Sequence, residues 1–139
     1  MLFDETIEPN DIIQGKLGTC YLLSVLSSLA EFDYRIKRLF PRHDLDAGVF
    51  AINLTKNGEK QQVVVDNFIP CLKNKRVPAF SKGNGNELWV IMFEKAWAKL
   101  HGSYQRVEGG SCCEAFRDVL GAPTYEFSLR QKDILEKIV

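Results

Sequence analysis

The run Tyr21 to Ala30, YLLSVLSSLA, narrows the folds open to this chain more than any other stretch. Leu22, Leu23, Val25, Leu26, Leu29 and Ala30 recur at helical period with only small serines between them, so the helix they form must be covered on most sides. The rest of the chain is expected to wrap it. The run falls far short of the roughly 20 apolar residues that a membrane span requires. Upstream lies a polar loop punctuated by Gly15 and Gly18, and at the seam between loop and helix stands Cys20.

The pattern that follows alternates between helix and strand. A second amphipathic piece, Tyr34 to Phe40, is stopped by Pro41. The period then changes to two: Val49 to Leu54 and Gln61 to Asp66 flank Asn57-Gly58, a dipeptide suited to the positive φ angles of a tight turn, which predicts an antiparallel hairpin. Pro70 to Asn86 carries prolines, lysines and Gly83-Asn84-Gly85 and reads as a mobile, exposed loop. Glu87 to Leu100 is strongly helical and is ended by Gly102. Ser111 followed by Glu114 is a capping-box signature for a helix running to about Leu120. A short extended stretch, Thr124 to Leu129, and a final helix from Gln131 close the chain. Helix exceeds strand, so the expected class is α+β, mainly helical with a small antiparallel sheet, as one domain over residues 1–139.

Charge excludes some functions. The 18 basic residues balance the 18 acidic ones, and the only basic cluster is the short Lys73 to Arg76 stretch, so no nucleic-acid partner is indicated. Neither a secretory signal nor a transmembrane segment is read from the sequence, and a cytoplasmic, intracellular setting is expected. Cys20, Cys71, Cys112 and Cys113 form no CxxC pair, and His43 and His101 lie far apart. That pattern suits free thiols in a reducing compartment better than a zinc site or a disulfide framework.

Cys20 is the residue with chemical promise. The first turn of a helix favours negative charge through its unpaired N–H groups, which is what a thiolate nucleophile needs. An oxyanion formed beside the sulfur needs two donors: the Cys20 N–H can be one and the Gln14 amide the other, brought back by the glycine-rich loop. Taken singly, a cysteine at a helix start serves packing more often than catalysis, Gln14 reads as a surface amide, and Gly109-Gly110 reads as a turn feeding the capped helix. Their joint arrangement is much rarer.

The segment Asp11-Ile12-Ile13-Gln14-Gly15-Lys16-Leu17-Gly18-Thr19-Cys20-Tyr21-Leu22-Leu23 resembles the active-site segment of calpains, papain-like intracellular cysteine endopeptidases regulated by calcium. Further segments fit in the same order: Val63-Val64-Val65-Asp66 with Pro70, Glu87-Leu88-Trp89 running into Phe93 to Lys99, Gly102-Ser103-Tyr104, and Gly109-Gly110. Nearly the whole chain is covered, and it is similar to the first subdomain of the papain-like protease core. The resemblance implies Cys20 as nucleophile, Gln14 as oxyanion donor, and Gly109 and Gly110 along the wall that binds substrate. It also implies a Ca2+ ion held by Asp11 and Glu87 with backbone carbonyls and water.

The sequence departs from the family at Thr19, where an acidic residue is usual, and at Tyr21, where tryptophan is usual. In calpains the catalytic histidine and asparagine come from a second protease-core subdomain, and neither His43 nor His101 stands in such a context; each is expected to face solvent. The resemblance therefore implies a calcium-dependent endopeptidase acting on protein substrates, with this chain as its cysteine half and inactive alone. The alternative is a non-catalytic calpain-like binding or regulatory module. A third possibility is a redox thiol protein pairing Cys20 with the Cys112-Cys113 pair.

Overall fold

A computed structural model of the chain describes residues 1–128. The helix read from Tyr21 to Ala30 is α1 (Cys20–Ala30). Tyr21, Leu22, Leu23, Val25, Leu26, Leu29 and Ala30 are all buried in it, and it packs against α2 (Asp33–Lys37) on one side and α4 (Cys112–Leu120) on another. The second long helix, α3 (Trp89–His101), buries Trp89 to Phe93, and it also buries Glu94. Gly102 ends α3 at φ +103°.

The predicted hairpin is present and slightly longer than expected. β3 (Val49–Lys56) pairs antiparallel with β4 (Glu59–Asp66), with Ile52 opposite Val63 and Phe50 opposite Val65. Phe50, Ile52, Leu54, Val63 and Val65 point into the core while Val64 faces out, which is the alternation of a sheet covered on one side. Asn57 and Gly58 take φ of +53° and +80°, the pair of positive angles that a two-residue turn requires. α3 packs on β4, and Lys99 Nζ donates to the Val64 carbonyl at 2.7 Å. Lys95 Nζ donates to the Phe68 carbonyl at 2.7 Å and pairs with the Asp66 carboxylate, so the end of the hairpin is tied to the helix.

The structure corrects four sequence readings. α2 stops at Lys37 rather than Phe40, because the chain tightens into i→i+3 bonds and the Leu39 carbonyl is taken by the Asn53 N–H of β3 at 2.8 Å. A third strand, β2 (Arg42–Asp44), adds to β3 and carries His43; its three residues are exposed, so no alternation betrays it. The segment 70–86 is not simply exposed loop: Ala79 N–H bonds the Pro70 carbonyl at 2.8 Å, Ser81 is buried, and β5 (Lys82–Gly83) pairs with β1 (Ile12–Ile13). Residues 124–128 form no strand; Thr124 Oγ1 instead donates to the Cys113 carbonyl at 2.9 Å. Leu129 and the helix expected from Gln131 lie outside the described residues. No helix among the described residues is long and apolar enough to cross a membrane.

Candidate active site

Cys20 is the first residue of α1 and is exposed, although the rest of that helix is mostly interior. It lines an open depression that also takes in Gln14, Ile12, Leu23 and Ser27. Gln14 Nε2 donates one hydrogen to the Leu17 carbonyl at 3.4 Å, folding the side chain back over its own loop. An amide nitrogen carries two hydrogens, so one remains for a group in the depression. The loop reaches this conformation because Gly15 lies against the backbone of Phe80, where a Cβ would come within 2.2 Å of the carbonyl.

The N-terminus of α1 is uncapped. Thr19 holds the N-cap position, but its hydroxyl donates inward to Glu94 Oε1 at 2.6 Å and forms no cap bond. Among the described residues the Cys20 N–H has no backbone partner, and the ladder of α1 begins with Leu23 N–H on the Thr19 carbonyl. Glu94 and Ser81 were missed in the sequence reading. The readable signal was a carboxylate within the stripe Val90, Phe93, Glu94 and Trp97, whose other members are apolar and face the core.

Gly109 and Gly110 are brought beside the same loop. The Gly109 N–H bonds the Gly18 carbonyl at 2.8 Å, and a Cβ on Gly110 would lie 2.7 Å from the ring of Tyr21. Tyr21 is fixed by its hydroxyl, which donates to the Val107 carbonyl at 3.0 Å and accepts from Trp97 Nε1 at 3.0 Å. Burial raises the Tyr21 phenol above its ordinary range, opposed by the Trp97 hydrogen bond. Gly110 lies at the edge of a second depression with Ser111, Cys112, Phe116 and Tyr125. Ser111 caps α4 by accepting from the Cys113 N–H at 3.1 Å, and Cys112 Sγ sits 3.6 Å from the Tyr21 carbonyl.

Asp11 and Glu87 come together through the β1–β5 pair, where Ile12 faces Gly83 and the Asp11 carbonyl accepts from Asn84 N–H at 2.8 Å. Glu87 is buried; Oε2 accepts from Trp89 Nε1 at 2.9 Å, while Oε1 has no hydrogen-bond partner among the described residues. Burial, then the Asp11 charge, raises the Glu87 carboxyl above the usual carboxylate range. A buried carboxyl with one oxygen lacking a hydrogen-bond partner among the described residues, close enough to Asp11 to feel its charge, fits a hard oxygen-seeking cation. No cluster of three or more acidic, histidine or cysteine side chains suited to a metal occurs among the described residues, so further ligands would have to be carbonyls and water.

Neither histidine lines the depression around Cys20. His43 is exposed on β2 with its ring nearly perpendicular to that of Phe3. His101 is not solvent-facing as expected: it packs on Trp97, shares a hydrogen bond with the Trp97 carbonyl at 2.9 Å, and lies 3.9 Å from the Asp118 carboxylate.

These features define a class: an α+β subdomain of a cysteine protease core, with the sulfur at the head of the central helix. Comparison with known proteins agrees. The sequence profile described as calpain family cysteine protease matches residues 1–139, and the chain belongs to that family. It is 38% identical over 130 residues to the calpain-type cysteine protease DEK1 of Arabidopsis thaliana, covering 93% of this chain and 6% of that protein. It is 41% identical over 125 residues to the calpain-1 catalytic subunit of Bos taurus, covering 87% of this chain and 17% of that one. The chain thus spans a small fraction of the length of the curated relatives it matches.

Proposed function

We propose that this chain is the cysteine-bearing half of a calcium-dependent thiol endopeptidase that cleaves protein substrates. The observation that carries the reading is the shared depression of Cys20 and Gln14 at an uncapped helix start. The Cys20 sulfur attacks the scissile carbonyl carbon, and the Cys20 N–H and the second Gln14 amide hydrogen stabilise the oxyanion. Gly109 and Gly110 offer backbone to an extended substrate along the wall. Neither N–H nor carbonyl of Gly110 has a backbone partner among the described residues, which supports that role.

Proton transfer to the leaving amine needs a histidine that neither His43 nor His101 supplies, so the partner is a second protease-core subdomain bringing histidine and asparagine, and the chain by itself turns over no peptide. Asp11 and Glu87, with backbone carbonyls, would hold Ca2+, whose charge would neutralise the two carboxylates and fix the start of the catalytic loop. A cytoplasmic location accords with the four free thiols.

Iodoacetamide labelling followed peptide by peptide tests the reading. Cys71 is also exposed but stands at no helix start, so Cys20 is expected to label several times faster. Equal rates would favour a non-catalytic calpain-like module with an idle thiol.

A further inference from the structure

A threonine at the N-cap ordinarily turns its hydroxyl oxygen onto a first-turn N–H. Thr19 does not, and its backbone, at φ −101° and ψ 21°, has also left the extended geometry usual for a cap. The hydroxyl is held elsewhere. Glu94 Oε1 accepts it at 2.6 Å, while Oε2 is anchored from the opposite side by the Ser81 N–H at 2.9 Å and the Ser81 hydroxyl at 2.5 Å. Thr19, Ser81 and Glu94 are 0%, 1% and 1% exposed, so water does not compete for these bonds. A carboxylate in this network can only accept, which commits the Thr19 proton to the interior. The consequence reaches the nucleophile: the leading N–H groups of α1, Cys20, Tyr21 and Leu22, lack backbone partners as at any helix start, and here the N-cap side chain supplies none either.

We propose that Glu94 is a positioning residue for Cys20: by drawing the Thr19 hydroxyl inward it keeps the leading N–H groups of α1 open, for an oxyanion and for negative charge on the sulfur. The proposal rests on the reading of Cys20 as nucleophile. Glu94 touches neither substrate nor sulfur and acts through Thr19 alone. It differs from a mere pin between α3 and the catalytic loop, because a pin is weakened by every deletion, whereas a diverted cap is harmless once the hydroxyl is gone.

The test uses the intact chain and the iodoacetamide rate at Cys20, with Cys71 as internal reference. Glu94→Leu frees the Thr19 hydroxyl to cap α1, and the rate is expected to fall about twofold to fivefold, the range typical for the interaction of a charge with an exposed helix end. Adding Thr19→Val to that variant removes the hydroxyl and is expected to restore the wild-type rate. An unchanged rate in Glu94→Leu, or a double variant as slow as the single one, overturns the proposal. Should Glu94→Leu fail to fold, amide hydrogen exchange on the unaltered chain decides: Cys20 and Tyr21 amides are expected to exchange faster than that of Leu23, and equal protection overturns the proposal. These failures leave fast wild-type labelling of Cys20 intact, whereas labelling of Cys20 no faster than Cys71 sinks the nucleophile reading itself.

Discussion

Glu87 and Gly110 are the residues at which the site can be tested one side chain at a time. The Glu87 carboxyl is raised by burial and by Asp11, so the folded chain holds that proton more tightly than the unfolded chain. Its contribution to stability is present at acid pH and is lost as pH rises through the raised value; at neutral pH the ionised group is a cost. Glu87→Gln is therefore expected to raise the thermal midpoint at pH 7 without calcium, to flatten that midpoint's fall on moving up from acid pH, and to abolish any rise on adding calcium. Scanning calorimetry with and without the ion checks all three. Gly110→Ala places a methyl 2.7 Å from the Tyr21 ring and is expected to cost about 1–3 kcal/mol, as overpacking does, read by urea unfolding. At this scale the sequence displayed Cys20 and Gln14 through their spacing, but the inward turn of Thr19 depends on Glu94, which is distant in sequence and meets it only in the folded chain.

The elements position the site, and their legibility follows from how local their causes are. α1 and α3 were readable because their apolar residues repeat over several turns, and β3–β4 because alternation and Asn57-Gly58 agree. Gly58 at φ +80° adopts a conformation that L residues enter at a cost, so Gly58→Ala is expected to destabilise by about 1–2 kcal/mol, measured by urea unfolding, with Cys20 reactivity unaffected. β2 was illegible because its exposed residues carry no pattern, and β5 because its pairing with β1 is fixed by Gly83 meeting Ile12 across the fold. The shortened α2 has the same origin, since Leu39 gives up its helical bond to Asn53 of β3.

Across the whole molecule, calpain family membership and the α+β core were visible in ordered motifs that together span the chain. What the sequence showed less directly was the placing of the two histidines: only in three dimensions is it plain that His101 is engaged with Trp97 and Asp118, and that His43 lies on the outer strand. On the proposed reading, a thiol with oxyanion donors but no acid or base of its own acylates once and then stalls. The most direct measurement is the burst of p-nitrophenolate from p-nitrophenyl acetate. The account predicts rapid release of about one equivalent assignable to Cys20, with little turnover after it, lost in Cys20→Ser and slowed in Gln14→Ala. A burst that survives Cys20→Ser undiminished, or no burst at all, would contradict it.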